Sequence, residues 1–199
     1  MKIVLASGNR NKYREMKDAF APIGAELLFG GDFENPMEVE ETGDTYEANA
    51  VLKAKAWSKA TGLPAISDDS GLEAAALGGA PGVHSARIIH GSDADRTEWL
   101  LEQLKNSEDR SARFVSCITA VFPDGKIISC EKFCPGKIAL KASGSSGFGY
   151  DPIFIPDGYD KTFAELGDEI KKKISHRALA IKGLAEMLKD VLQYTTVRI

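Results

Sequence analysis

The chain has 199 residues, of which 43% are hydrophobic and 27% are charged, a composition typical of a folded globular protein and not of a disordered one. Its 25 Lys and Arg against 29 Asp and Glu give a net charge of −4, which argues against a protein dedicated to binding duplex nucleic acid through its phosphates. Residues 2–6 are too short an apolar run for a signal-peptide core, and no run approaches the ~20 apolar residues that cross a bilayer, so we expect a cytoplasmic protein without a membrane contact.

Apolar patterns along the chain predict alternating strands and helices. Five apolar stretches are typical of strands: residues 2–6, 26–29, 63–67, 112–122 and 126–140. Four segments have the spacing or end signals of helices: residues 13–20, 45–61, 93–105 and the segment after Ser175. Pro123-Asp124-Gly125 predicts a hairpin between the last two strands. These elements predict an α/β fold with a mixed, elongated central sheet flanked by helices.

The helices also carry signals for their ends and for their buried faces. Pro22 stops the first helix, Gly62 suits the C-cap of the second, and Ser175 can cap the last. The predicted buried residues are Tyr13, Met16, Ala19, Phe20, Ala48, Leu52, Ala56, Trp57, Leu184, Met187, Leu188 and Val191. Because no change of composition marks a linker, we expect one domain over residues 1–199, formed by two lobes with an active-site cleft between them. Residues 193–199 carry no interpretable pattern.

The three cysteines favour a reducing compartment. Cys117, Cys130 and Cys134 cannot all pair with one another, so they do not form a disulfide framework. Cys130 and Cys134 are four positions apart in a strand-like stretch, and no third cysteine or histidine lies near them in sequence. This spacing therefore does not predict a zinc site.

The turn between the first strand and the first helix is a candidate anion site. It reads Ser7-Gly8-Asn9-Arg10-Asn11-Lys12, and backbone N–H groups at the start of a helix favour an anion. Arg10 and Lys12 add full positive charges. The spacings of the P-loop and of the dinucleotide-binding fingerprint are both absent, and an ordinary polar turn is the alternative.

Adjacent carboxylates follow the third strand, where α/β sheets commonly bind ligands. Asp68 and Asp69 repel each other, and a hard cation such as Mg²⁺, shared with substrate phosphates, is the usual compensation. Glu40 or Glu41 could complete the ligand set. The alternative is a capped turn, in which the aspartates accept hydrogen bonds from the backbone of residues 70–71.

Three other segments carry polar or aromatic groups suited to a nucleotide. Thr45, Asn49 and Lys53 share one face of the second helix, which is either a solvated stripe or a phosphate contact. In the Gly- and Ser-rich loop 143–152, Phe148 either stacks on a base or anchors the loop in the core. Residues 171–177 (KKKISHR) predict cations at the start of a helix, against its dipole, which an anionic ligand would explain, whereas a solvated charge run is the commoner alternative.

Together these segments resemble the inosine triphosphate pyrophosphatase family, also described as dITP/XTP pyrophosphatases. The resemblance covers roughly residues 1–190 and is carried by SGNRNK (7–12), EETGDTYEANAVLKA (40–54), SDDSGL (67–72), GGAPGVHSAR (78–87), GFGYDPIF (147–154) and ISHR (174–177). It implies Mg²⁺-dependent hydrolysis of a nucleoside triphosphate to the monophosphate and pyrophosphate. The implied substrates are ITP, dITP and XTP, which arise by purine deamination, and the implied assembly is a homodimer.

The resemblance also implies roles for single residues. Asp69 matches the general base and metal ligand, and Glu40 matches a second metal ligand. The positions that match substrate-binding residues are Ser7, Gly8, Asn9, Arg10, Asn11, Lys12, Lys53, Ser70, Phe148, Gly149, Tyr150, Asp151, Lys171, His176 and Arg177. The chain departs from the commoner pattern at Ser7, where Thr is common, and at Asn11, where Gly is common.

The same residues indicate how the base could be selected, and they leave two alternative functions open. Hypoxanthine and xanthine present an O6 acceptor where adenine presents an N6 donor, so a donor such as Arg177 or His176 would discriminate between them. One alternative is a pyrophosphatase for pyrimidine or other modified nucleotides. The other is a nucleotide sensor that does not cleave, but a sensor has no need of Glu40 and Asp69 near a metal.

Overall fold

A computed structural model describes the backbone of residues 1–196 and the side chains of residues 1–189. The strands of this part of the chain are β1 (Lys2–Leu5), β2 (Glu26–Phe29), β3 (Ala65–Ala74), β4 (Ser111–Val121), β5 (Ile127–Ile138) and β6 (Phe154–Pro156). Its α-helices are α1 (Arg10–Met16), α2 (Tyr46–Thr61), α3 (Asp93–Gln103), α4 (Phe163–Leu166), α5 (Asp168–Ile174) and α6 (His176–Thr196).

The strands form a mixed sheet in the order β2-β1-β3-β4-β5-β6. Strand β1 pairs in parallel with β2 on one side and with β3 on the other, so that Val4 lies opposite both Leu28 and Ala65. Strand β6 pairs with β5 in antiparallel fashion. The prediction of an α/β fold with a mixed sheet is confirmed.

Contacts divide the chain into two compact units, each with its own apolar core. Unit 1 comprises residues 1–69, residues 117–131 and the C-terminal residues from Leu179, whereas unit 2 comprises residues 70–116 and 132–178. The larger buried side chains of the unit 1 core include Ile3, Leu5, Met16, Phe20, Ile66, Ile118, Leu184 and Leu188. Those of the unit 2 core include Leu72, Leu100, Leu104, Phe114, Ile138, Phe154 and Phe163.

Several predicted boundaries are confirmed by the hydrogen bonds that make them. The Thr45 hydroxyl accepts from the Ala48 N–H at 3.1 Å at the start of α2. Gly62, with a φ of 67°, is the C-cap that follows the last residue of this helix. The Ser175 hydroxyl likewise accepts from the Ala178 N–H at 3.2 Å at the start of α6. The predicted β4–β5 hairpin is closed by the Phe122 N–H, which donates to the Lys126 carbonyl at 2.9 Å.

The predicted buried faces of the helices are partly wrong. In α2, Trp57 is buried as predicted, but Leu52 is 37% exposed and Ala48 and Ala56 are only half-buried. The other buried residues of this helix are Tyr46, Asn49, Ala50, Ala54 and Ser58. Alanines on every side of this helix leave its apolar periodicity too weak to locate the buried face. In α6, Leu184 and Leu188 are buried as predicted, but Met187 is 45% exposed. Val191 lies outside the described side chains.

Three predicted boundaries are corrected. Helix α1 ends at Met16, so Ala19 and Phe20 lie beyond it, although Phe20 is buried in the unit 1 core. The turn predicted at residues 68–71 is absent, because β3 continues without interruption to Ala74. Residues 171–173 occupy the last turn of α5, where their charges complement the helix dipole instead of opposing it.

All three cysteines of the chain lie inside the fold. Cys117, Cys130 and Cys134 are buried thiols that form no disulfide among the described residues. Cys130 packs in the core of unit 1 and Cys134 in the core of unit 2.

Across the described residues, no helix combines the length and the apolar character needed to cross a membrane.

Candidate active site

Unit 1 contains a compact group of acids and lysines, here called the acid–lysine cluster: Lys12, Glu41, Lys53, Asp68 and Asp69. Strand β3 supplies both aspartates, and because successive residues of a strand point to opposite faces, the two carboxylates meet different partners. Asp68 pairs with Lys12 at 2.9 Å. Both ammonium groups also donate to the Asp68 carbonyl oxygen, Lys12 at 3.0 Å and Lys53 at 3.2 Å.

Lys53 joins two carboxylates within this cluster. Its Nζ lies 2.6 Å from Glu41 Oε1 and 2.9 Å from Asp69 Oδ1. Burial lowers the pKa of Lys53, but the charges and hydrogen bonds of Asp69 and Glu41 outweigh burial, so the pKa is raised overall. Burial raises the pKa of Asp69, and the Lys53 charge opposes that rise without cancelling it. The lysine is therefore held fully charged between the two acids.

Asn49 also contacts this group, from the buried face of α2. It is 0% exposed, and its side chain accepts from the Gly43 N–H at 2.8 Å and donates to Asp69 Oδ2 at 3.4 Å. Two residues of the predicted helical face, Asn49 and Lys53, therefore contact Asp69. The third, Thr45, caps the helix. The solvated alternative for this face is wrong for Asn49.

The cluster's chemistry is compatible with a divalent cation. Carboxylate oxygens are the ligands that Mg²⁺ prefers, and one or two of them commonly act together with substrate phosphates. Glu41 and Asp69 supply such oxygens, and both contact the Lys53 ammonium. Glu40 is exposed, and Glu41 is the acid that contacts Lys53. Among the described residues, no three His, Cys, Asp or Glu side chains are grouped to hold a metal.

The predicted anion turn of residues 7–12 makes several of its contacts within itself. Asn9 caps α1 by accepting from the N–H groups of Asn11 and Lys12, at 2.9 and 3.2 Å. The Asn9 N–H in turn donates to the Ser7 hydroxyl at 3.1 Å. Arg10 is exposed, pairs with Asp32 at 2.7 Å and lies over the Phe29 ring at 4.2 Å. Lys12 is thus the residue of this turn that the structure brings to the acid–lysine cluster.

Unit 2 contains a second group of predicted site residues, centred on Phe148. The Lys171 ammonium lies 4.3 Å and the Arg177 guanidinium 5.5 Å from the centre of the Phe148 ring, so cations cover this aromatic side chain. The Lys171 ammonium is held by Asp151 Oδ2 at 2.6 Å, and the same oxygen accepts from the Phe148 N–H at 2.8 Å. Phe148 is half-buried beside these charges and is not part of the unit 2 core.

The remaining predicted residues of unit 2 are buried or form hydrogen bonds. Arg177 is 3% exposed and donates to the Ser70 hydroxyl at 2.8 Å. His176 stacks on Phe114, with ring centres 4.6 Å apart. Tyr150 is 5% exposed and donates from its hydroxyl to the Ser85 carbonyl at 2.9 Å; burial raises its pKa to about 12. Gly149 donates to Asp93 Oδ2 at 2.8 Å.

Two contacts of the acid–lysine cluster are not predicted by the sequence patterns. The sequence predicts Asp68 in a turn, as a candidate cation ligand, and not as the partner of Lys12. The sequence places Asn49 on a polar helical face, but it does not indicate the contact with Asp69. Glu40 and Glu41 are both candidate ligands, and nothing in their spacing separates them.

Comparisons with known proteins agree with the fold and with the motifs. The family model described as Ham1 family matches residues 3–187. A Thermus thermophilus protein named dITP/XTP pyrophosphatase is 48% identical over 96% of this chain and 93% of its own length. A Deinococcus radiodurans protein of the same name is 46% identical over 92% of this chain and 90% of its own. A solved structure, the Staphylococcus aureus Ham1 protein, superposes with a TM-score of 0.87 at 41% identity and covers 96% of this chain and 99% of that one. The chain described here belongs to the Ham1 family.

Proposed function

We propose that this chain is a nucleoside triphosphate pyrophosphatase that hydrolyses the deaminated purine nucleotides ITP, dITP and XTP to the monophosphate and pyrophosphate, and so removes them from the nucleotide pool. The observation that carries the proposal is the partly buried contact of Lys53 with Glu41 and Asp69. Two acids and a fully charged lysine provide a base and a phosphate partner in one place. The names of the relatives supply the substrate class.

In this proposal Asp69 acts as the general base. It orients a water molecule and takes one proton from it while the water oxygen forms a bond to the α-phosphorus. The bond from the α-phosphorus to the bridging oxygen breaks, and pyrophosphate leaves with the electron pair. Mg²⁺, when bound, would neutralise negative charge on the triphosphate. Glu41 and Asp69 have the oxygens to hold it, and Glu40 stays a predicted ligand.

Direct attack by water is favoured over a covalent intermediate on Ser70. The Ser70 hydroxyl accepts a hydrogen bond from Arg177 at 2.8 Å. A guanidinium remains protonated at all ordinary pH values and cannot accept the hydroxyl proton. In this proposal Ser70 binds the substrate, as the family resemblance implies, and water is the nucleophile.

The predicted site residues are assigned different parts of the substrate. Lys12, Lys53 and the turn of residues 7–12 would bind the phosphates, because they supply ammonium groups beside the carboxylates. By the family resemblance, residues 148–151 together with Lys171, His176 and Arg177 would bind the sugar and base. The O6 acceptor of hypoxanthine or xanthine then receives a hydrogen bond from Arg177 or His176, which adenine cannot accept at that position.

The proposal is tested by incubating the purified protein and Mg²⁺ with ITP, dITP, XTP, GTP, ATP and dTTP. Pyrophosphate and orthophosphate are followed in parallel, because their ratio identifies the bond that is cleaved. We expect pyrophosphate from the deaminated purines and little from ATP or GTP. Faster release from dTTP would instead favour a pyrimidine nucleotide pyrophosphatase. Binding of ITP without release of either product would favour a sensor.

Three further features belong to the same proposal. We propose Mg²⁺ as the metal, the cytoplasm as the location and a homodimer as the assembly. The buried thiols of Cys117, Cys130 and Cys134 support a reducing compartment. Replacing Mg²⁺ with Ca²⁺, or removing it with EDTA, tests the metal requirement in the same assay. Sedimentation equilibrium tests the assembly. A monomeric mass at micromolar concentration would remove the homodimer from the proposal.

A further inference from the structure

We propose that Asn49 is a positioning residue, whose side chain fixes the Asp69 carboxylate relative to the loop that carries Glu41 and thereby sets the rate of the chemical step. The inference rests on the proposed function, because it assigns Asn49 a part in that reaction. Asn49 is 0% exposed, so it acts through its neighbours and not by touching the substrate.

The two ends of the Asn49 amide have different partners, and only one orientation serves both. The Gly43 N–H can only donate, so the carbonyl end, Oδ1, must face it at 2.8 Å. The amino end, Nδ2, then faces Asp69 Oδ2 at 3.4 Å. A flipped amide would place a donor against a donor and an acceptor against a carboxylate. The side chain is therefore matched to the loop and to the carboxylate together.

The loop that carries Glu41 approaches Asn49 so closely at Gly43 that only glycine fits at this position. A Cβ atom at Gly43 would lie 2.7 Å from the Ala48 Cβ and 2.9 Å from Asn49 Oδ1, both too close for real atoms. Glu41 lies two residues before Gly43, and its carboxylate reaches Lys53 at 2.6 Å. The contact between Gly43 and Asn49 thus anchors the segment that brings Glu41 into the acid–lysine cluster.

Asp69 is held at both of its oxygens, by groups of different charge. Lys53 donates to Oδ1 at 2.9 Å, and Asn49 donates to Oδ2. The neutral amide restricts rotation of the carboxylate without adding a second positive charge, which would make the carboxylate a weaker base. This is the behaviour expected of a residue that orients a general base, since a displacement of about 1 Å in a reacting group can cost about 100-fold in rate.

The principal test compares Asn49→Ala with Ser58→Ala. Ser58 is a second buried polar residue of α2, and its hydroxyl has no hydrogen-bond partner among the described residues, so its removal costs no contact with the cluster. We expect Asn49→Ala to lower kcat by about 10- to 100-fold while KM for ITP changes by less than about 3-fold. The Ser58→Ala variant should keep both constants within about 2-fold of the unmodified protein. Equal kcat values for the two variants would overturn the proposal.

A second variant covers the case in which Asn49→Ala does not fold. Asn49→Asp keeps the side-chain shape and an oxygen that accepts from Gly43, but when ionised it cannot donate to Asp69 and its charge repels that carboxylate. The positioning role predicts a loss of kcat of at least about 10-fold in this variant. Normal kcat in Asn49→Asp would contradict the positioning role.

A measurement without turnover separates this inference from the proposed function. If the unmodified protein cleaves no nucleotide, the proposed function fails, and Mn²⁺ binding followed by electron paramagnetic resonance still tests Asn49. We expect Asn49→Ala to bind Mn²⁺ at least about 5-fold more weakly than Ser58→Ala does, because Glu41 and Asp69 are no longer held together. Equal affinities, or no binding by the unmodified protein, would overturn the role of Asn49.

Discussion

The Lys12 ammonium lies 2.9 Å from Asp68 Oδ2 and 3.0 Å from the carbonyl oxygen of the same residue, although 56 positions separate the two in sequence. The Asp68 side chain is fully buried, whereas that of Lys12 is 16% exposed. Burying a carboxylate is costly unless it is paired, so this contact explains how a charged residue is accommodated in the middle of β3.

The unequal burial of this pair predicts unequal effects of breaking it. Lys12→Met should lower the free energy of unfolding by about 3 kcal/mol, because it removes a charge partner of a buried carboxylate. Asp68→Asn should cost about 1 kcal/mol, since the partly exposed lysine keeps the Asp68 carbonyl as a partner. Urea unfolding of both variants and of the double variant measures these differences. A larger loss for Asp68→Asn than for Lys12→Met would contradict this account of the pair.

Arg177 is predicted to select the base. It is 3% exposed and lies over Phe148, so a hydrogen bond from it would be shielded from water. Arg177→Ala should lower the ratio of kcat/KM for ITP to that for ATP by about 10- to 100-fold, equivalent to about 1.4 to 2.8 kcal/mol. Steady-state kinetics with both nucleotides measures the ratio.

The matched control for this variant is Arg113→Ala in the same unit. Arg113 is exposed and pairs with Glu73 at 2.7 Å. Its removal should leave the preference for ITP over ATP unchanged. A preference that stays the same in Arg177→Ala as well would remove Arg177 from base selection and leave His176 as the candidate donor.

Two buried thiols predict a loss of stability at alkaline pH. Burial raises the pKa of Cys117 to about 12 and that of Cys134 to about 11, from an ordinary value of 9.0. Above pH 9 the unfolded chain therefore loses these protons while the folded chain keeps them, so the free energy of unfolding falls as the pH rises. Each thiol should contribute a loss of about 1 kcal/mol at pH 10 relative to pH 8.

Urea unfolding of the unmodified protein and of Cys117→Ala at pH 8 and pH 10 measures this contribution. The variant is expected to be less stable at both pH values, because a buried side chain is shortened. Its further loss between pH 8 and pH 10 should be smaller than that of the unmodified protein by about 1 kcal/mol. An identical loss in the two proteins would show that Cys117 is not responsible.

The sequence predicts best the elements whose signals are local. Gly62 caps the end of α2 and Ser175 caps the start of α6 as predicted, because a cap depends only on residues within one turn. The hairpin of β4 and β5 depends likewise on Pro123-Asp124-Gly125, where Asp124 accepts from the Lys126 N–H at 2.9 Å. Each of these features is decided by neighbours in sequence.

The features that were mispredicted depend on distant partners. Asp68 and Asp69 are too polar for a buried strand by any local criterion, and the residues that stabilise them there lie elsewhere in the chain, namely Lys12, Asn49 and Lys53. The contact of Lys53 with Glu41, which the sequence does not indicate, likewise joins a loop whose Gly43 packs on α2. The site's chemistry was therefore visible in sequence through its motifs, but its geometry was not.

The central claim is that the acid–lysine cluster is the active site of a pyrophosphatase, and Asp69→Asn tests it most directly. The amide keeps the size of the side chain but cannot accept a proton from water at neutral pH. Asp124→Asn, the same substitution at an exposed residue of the β4–β5 hairpin, is the control. Pyrophosphate release from ITP and ITP binding are measured for both variants. The account predicts that Asp69→Asn binds ITP but releases no measurable pyrophosphate, while Asp124→Asn is normal; turnover by Asp69→Asn at a rate near that of the control would contradict it.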